Sequence, residues 1–197
     1  MQIWDTVSFM RDTLDSRLAA RVSELRVARG WSLDDLAGRT GVSRSTLSRL
    51  ERAEISPTAS LLGRLCAAYG WTMSRLLAEV EGDAEPPAVV RAADQRVWRD
   101  EASGFTRRAV SPPHPGLRGE LVEGVLEPGA DIAYDAPPIF GMEQHVWVLD
   151  GRCEFTDDGT RHDLATGDCL RLRLRGATRL RNPGPGPVRY AIFVALQ

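Results

Sequence analysis

The sequence predicts two domains, an all-α unit of five short helices followed by an all-β barrel or sandwich. Three observations predict this. Residues 16–80 place apolar side chains near the 3.6-residue period, interrupted by capping residues and glycines. Residues 81–93, EGDAEPPAVVRAA, hold acids, a Pro-Pro pair and little periodicity, as a semi-rigid linker does. From Asp94 to residue 197 the pattern becomes short alternating segments separated by Pro, Gly and Asp.

The helices follow in order. SRLAARVSELRVARG carries Leu18, Val22, Leu25 and Ala28 on one face and ends at Gly30. Ser32 caps LDDLAGRT, where Asp34 and Asp35 favour the positive end of the helix dipole. Gly41 ends that helix in the left-handed conformation glycine tolerates, and Ser43 caps the third, whose Leu47 and Leu50 point inward. Ser56-Pro57-Thr58 breaks the chain and recaps ASLLGRLCAAYG, closed by Gly70. A fifth helix from Thr72 carries Met73, Leu76, Leu77 and Val80. In the second half, GELVEGVLEPG, QHVWVLDGRCEF, CLRLRLRG, TRLRNPG and VRYAIFVAL read as strands, with Asp150-Gly151 a hairpin signal between two of them. Strands at this spacing indicate an antiparallel barrel or sandwich.

Composition bounds the function classes. Hydrophobic residues make up 43% and charged residues 26%, a globular composition. No apolar run approaches the ~20 residues that span a bilayer, so no membrane role is expected. The N-terminus carries acids and no apolar core of a signal peptide, so a cytoplasmic protein is expected. Cys66, Cys153 and Cys169 have no CxxC spacing, which implies neither a disulfide framework nor a zinc site. The net charge of −2 is unevenly placed: residues 1–80 hold 11 arginines against 9 acids, and the remainder 14 against 18. Phosphate contact needs only a local basic face, which a global value hides.

Gly41–Arg52, GVSRSTLSRLER, is the most informative stretch. It leaves Arg44, Ser45, Ser48, Arg49 and Arg52 on the outside of a short helix after a tight turn. Short polar and guanidinium side chains so presented suit base edges in a DNA major groove. With its flanks, WSLDDLAGRTGVSRSTLSRLERAEISPT resembles the helix-turn-helix of the Xre and phage-repressor family. The resemblance covers residues 16–80 and rests on Leu36-Ala37, Gly41-Val42-Ser43, Leu47-Ser48, Leu50-Glu51 and Pro57, then on Leu61, Leu62, Leu65 and Tyr69. It implies base reading by Arg44, Ser45 and Arg49, with Ser48 beside them. Ser32 and Ser43 fall where phosphates are held, and Arg52 adds a phosphate contact. Glu51 is expected to orient a neighbouring arginine or cap a turn. Two positions depart from the family: Leu33 replaces a polar residue, and Ala53 replaces the usual glycine after the recognition helix.

MEQHVWVLDGRCEFTDDGTRHDLATGDCLRLRLRGATRLRNPG resembles a cupin, with Val148-Leu149-Asp150-Gly151, Gly167-Asp168 and Asn182-Pro183-Gly184 at the family's turns. The resemblance covers residues 94–197 and implies a double-stranded β-helix barrel. The family's metal ligands are missing: Pro137 and Ile139 stand at two His positions, Gln144 at the Glu position and Thr178 at the last His position. Glu143 and His145 flank Gln144, but neighbours of an inward residue on a strand face outward. No metal and no other cofactor is expected. The barrel interior is then an effector pocket or a packed core. For the pocket, the register gives Gln144, Val146, Val148, Thr178 and Leu180 as lining, with Tyr134 and Phe140 at the mouth. Arg171, Arg173 and Arg175 face outward by parity, and Trp147 on the outer face of its strand is a candidate interface residue.

These readings give a sequence-specific transcriptional regulator, a repressor rather than an enzyme, acting on double-stranded operator DNA. A homodimer on an inverted repeat, with the barrel as dimerisation and effector-sensing unit, is the expected assembly. Two alternatives stand beside it. One is a metal-dependent cupin enzyme with an attached DNA-binding module; the other is a constitutive DNA-binding or antitoxin-like protein without an effector.

Overall fold

A computed structural model describes residues 3–81, 87–114 and 116–195. Among the described residues five α-helices come first: α1 Ile3–Ala28, α2 Leu33–Thr40, α3 Arg44–Glu51, α4 Ala59–Tyr69 and α5 Met73–Glu81. Helix α1 begins well before Ser16, because no proline or glycine interrupts the preceding residues. Ser32 caps α2 with a full capping box, its hydroxyl accepting from Asp35 N while Asp35 accepts from Ser32 N. Ser43 and Thr58 cap α3 and α4 by accepting from Thr46 N and Leu61 N. Leu18, Val22, Leu36, Leu47, Leu50, Leu62 and Leu65 are all buried, which is the inward face the periodicity predicts.

Ten strands follow: β1 Val97–Asp100, β2 Phe105–Ser111, β3 Gly119–Leu126, β4 Asp131–Tyr134, β5 Glu143–Asp150, β6 Arg152–Asp157, β7 Thr160–Ala165, β8 Cys169–Arg173, β9 Thr178–Arg181 and β10 Val188–Ala195. They form a six-stranded sheet in the order β1-β2-β3-β10-β5-β8 and a four-stranded sheet in the order β4-β9-β6-β7, with every pairing antiparallel. This is the two-sheet, cupin-type barrel. The five strand segments read from the sequence are present; β1, β2, β4 and β7 were not legible, being short or weakly alternating in burial.

Asp150-Gly151 is not a hairpin. β5 pairs with β10 and β8 in one sheet, whereas β6 pairs with β7 and β9 in the other. The dipeptide turns the chain from sheet to sheet, as a jelly-roll path requires. Gly151 holds φ 88, and a Cβ there would press on the Pro187 carbonyl at 3.0 Å, so both conformation and space call for glycine.

The predicted linker falls partly on residues 82–86, outside the described residues. The helical unit and the barrel touch directly. Asp100 at the end of β1 accepts from Ala59 N at the start of α4 at 2.8 Å, and Arg64 pairs with Asp135 at 2.8 Å. Gly63 in α4 leaves the space that the Tyr134 ring fills. One apolar cluster therefore runs from Leu18 in α1 through Cys66 and Tyr69 to Phe105, Leu126 and Tyr190 in the barrel.

Candidate nucleic-acid interface and barrel cavity

The outer face of α3 is built by its cap and its core leucines. Ser43 fixes the start, Leu47 and Leu50 anchor the inner side, and Arg44, Ser45 and Arg49 are thereby exposed, with Ser48 half-buried beside them. Arg44 rests 3.4 Å from Asp34 of α2, and Arg49 lies 3.9 Å from Glu54. Both pairs are exposed and weak, so a base edge or phosphate can replace the carboxylate. Arg52 is held more firmly: it grips Glu54 at 2.6 and 3.0 Å and donates to Ser48 Oγ. Ser48 is thus tied to Arg52 before any ligand arrives. Ser32 Oγ donates to Asp35 at 2.7 Å, and Ser43 Oγ lies 3.0 Å from Ser45 Oγ and 2.8 Å from Thr46 Oγ1. These serines hold the starts of α2 and α3, and the free N-terminal N–H groups beside them are of the kind that suits an anion.

Glu51 points inward. Both its oxygens accept from Arg26 of α1 at 2.7 Å, and Arg26 Nη1 also donates to the Trp31 carbonyl at 2.9 Å. Hydrogen bonding to Glu51 raises the Arg26 guanidinium above its ordinary value. This mostly buried fork fixes the attitude of α3 against α1. Ala53 takes φ 54, so the turn after α3 keeps the left-handed shape glycine would give it.

The second site is a cavity of about 130 Å³ at one end of the barrel. Gln144, Thr178 and Leu180 line it, as the register predicts, and so does Tyr134, which was expected at its mouth. Val146 and Val148 do not, although they are fully buried on the same inward face. The cavity sits at the N-terminal end of β5, so these valines lie deeper by two and four residues, each pair of residues being about 6.5–7 Å along the strand. Phe140 does not line it either, being 74% exposed on the loop between β4 and β5. That loop contributes Ala136, Pro137 and Pro138 instead.

The sequence reading missed much of the lining, above all two buried charged residues and a whole wall. Arg107 on β2 and Glu120 on β3 enter the cavity from the barrel, and Gly63, Cys66, Thr72 and Met73 close it from the helical unit. Arg107 donates to Ser74 Oγ, and Ser74 and Thr72 hydrogen-bond the Glu120 carboxylate. Burial pushes the Glu120 carboxyl up and Arg107 down, with the attraction between them opposing both shifts. Parity held the signal: Glu120 alternates with Val122, Gly124 and Leu126, all inward. Burial also raises Cys66 to about 12 and Cys153 to about 11, which keeps both as inert thiols.

The donors at the cavity do not fit a metal. Pro137, Gln144 and Thr178 occupy three of the ligand positions, and the fourth, Ile139, is exposed. His145 instead faces outward, 3.6 Å from Glu143 and edge-on to Phe193. Among the described residues no group of three His, Cys, Asp or Glu gathers.

Residues 17–79 match a family model described as a helix-turn-helix domain. The HTH-type transcriptional regulator SutR of Escherichia coli K12 is 29% identical over 173 residues, covering 88% of this chain and 91% of the relative. The HTH-type transcriptional regulator PuuR of the same strain is 26% identical over 147 residues, covering 75% and 77%. A crystal structure of an HTH_3 family transcriptional regulator from Vibrio cholerae superposes with a TM-score of 0.76 over 94% of this chain and 99% of its own, at 22% identity. The two-part fold is thus shared over nearly the whole length.

Proposed function

We propose that this chain, a helix-turn-helix unit joined to a cupin-type barrel, is a DNA-binding transcriptional regulator that acts as a repressor. The observation that carries the reading is the face of α3, where Arg44, Ser45 and Arg49 stand exposed on a helix fixed by its cap and by the Arg26–Glu51 fork. Arg44 and Arg49 each suit a guanine O6/N7 edge, and Ser45 an adjacent base. Ser32, Ser43, Ser48 and Arg52 surround them as phosphate contacts. The regulators SutR and PuuR support the same reading.

Two copies would present two such faces to an inverted repeat with half-sites about 34–36 Å apart. The outer face of the six-stranded sheet suits the dimer contact, since Trp147 is 50% and Phe193 43% exposed there. The cavity end of the barrel would hold a small effector. Against a metal-dependent enzyme stands the donor set at that cavity. Against a block without an effector stands the cavity itself, since a barrel serving only dimerisation needs none. A cytoplasmic location follows from the DNA target.

Footprinting on DNA from beside the gene tests the proposal. The parent protects a palindromic site, while Arg44→Ala and Arg49→Ala each lose about 1–3 kcal/mol of sequence discrimination. Unchanged footprints and affinities in both variants overturn it.

A further inference from the structure

We infer that the cavity between the helical unit and the barrel takes a small molecule with a short apolar body and a hydrogen-bond-donating head, hydroxyl or amine, seated on Glu120. The inference rests on reading this cavity as the effector site of a DNA-binding regulator. Three observations carry it.

The first is an unmet acceptor. Glu120 is 1% exposed, and its Oε2 has no hydrogen-bond partner although the residue lines the cavity. A buried carboxylate oxygen without a donor is costly, and a ligand donor relieves that cost. A carboxylate or phosphate head would face Glu120 with a second acceptor, so anions are disfavoured. Arg107 does not reverse this, because its charge is set against that of Glu120 beside it, which leaves no net positive charge from the pair to draw an anion in.

The second is size and lining. About 130 Å³ suits a ligand of roughly six heavy atoms, being slightly smaller than an engineered 150 Å³ cavity that admits benzene. Beyond Glu120 and Arg107 the wall is largely apolar, with Val122, Ile132, Met142, Leu180 and Ile192 offering contact to a hydrocarbon body and Gln144 and Thr178 adding neutral polar groups.

The third is the identity of the opposite wall. Gly63, Cys66, Thr72 and Met73 belong to the helical unit, and Glu120 is hydrogen-bonded to Thr72 and Ser74, so a ligand on Glu120 sits beside the residues that tie the two units together. Occupancy is read by direct contact with the start of α5, with no relay through the barrel strands. Helix α4, which also walls the cavity at Gly63, packs in turn on α2.

The test uses the full chain and four five-carbon probes: 1-pentanol, pentylamine, pentanoate and 1-chloropentane. Calorimetric titration and thermal melting report binding, and amide exchange of residues 59–81 reports contact with the helices. Pentanol or pentylamine is expected to bind at least tenfold more tightly than pentanoate and chloropentane, and to slow exchange near Thr72. The alcohol and amine arms tell which donor is preferred. In Glu120→Met, which removes the acceptor at little change of size, the preference for donors over chloropentane falls to within about twofold. The comparison within the parent stands alone should that variant fail to fold. Tightest binding by pentanoate, equal binding by chloropentane, or no binding by any probe overturns the inference. The two proposals fail separately: a chain that binds an operator and no donor probe loses the ligand site alone, and one that binds pentanol or pentylamine but no DNA loses the regulator reading.

Discussion

Ala53 shows what one side chain costs in the wrong region of backbone space. Its φ of 54 is a glycine conformation, and an L-residue there gives up about 1–2 kcal/mol. Ala53→Gly is therefore expected to raise the melting temperature by about 2–4 °C per kcal/mol recovered, measured by calorimetry. Asp35 offers a second test at this scale. Hydrogen bonds from the Ser32 hydroxyl and backbone hold its carboxyl below the usual range. The ionised cap thus contributes stability that is fully present above the unfolded pKa of about 4 and lost as pH falls through the folded value. Asp35→Asn should melt below the parent at pH 7, and the gap should close near pH 2. Both residues were legible in the sequence, Asp35 by its place after Ser32 and Ala53 by standing where glycine is usual. Arg107 was not, and Glu120 only by its parity with Val122, Gly124 and Leu126, because a charged residue on an alternating strand reads as solvent-facing until its partners are known.

Among the elements, α3 depends on a contact made on the side away from its exposed arginines. The Arg26–Glu51 fork lies between the exposed and fully buried regimes, so Glu51→Gln is expected to cost about 1–3 kcal/mol in denaturant unfolding. It should also weaken operator binding without touching DNA, through a loosened α3. Equal affinity in the variant would show that the core leucines alone orient the helix. The helices were legible as elements because caps, glycines and apolar spacing agree at each one. The strands were legible where alternation ran long, as in β3, β5 and β10, or where a short alternating run met clear turn residues, as in β9 before Asn182-Pro183-Gly184; β4, with four residues, gave too little pattern. Parity placed Gln144, Val146 and Val148 on one inward face correctly, but parity carries no depth. That is why two of the three lie below the cavity instead of around it.

At the scale of the molecule, the contact between the two halves was invisible in the sequence. Residues 81–93 read as a spacer, and the surfaces that meet come from segments about forty to seventy residues apart. Gly63 is the tightest point of that contact, with Tyr134 occupying the space of its missing side chain. Gly63→Ala should gain helix propensity within α4 and yet unseat the ring. Limited proteolysis between the halves is expected to speed up at least several-fold, whereas an unchanged rate would show that the ring has another seat. Asp100 has a wider consequence. It is a barrel residue, and it satisfies the first N–H of α4 while favouring the positive end of that helix. The helical unit therefore does not satisfy its own backbone. Grafted onto a foreign barrel, or expressed alone, it lacks a carboxylate that the other half of the chain supplies, and α4 loses a partner at its start.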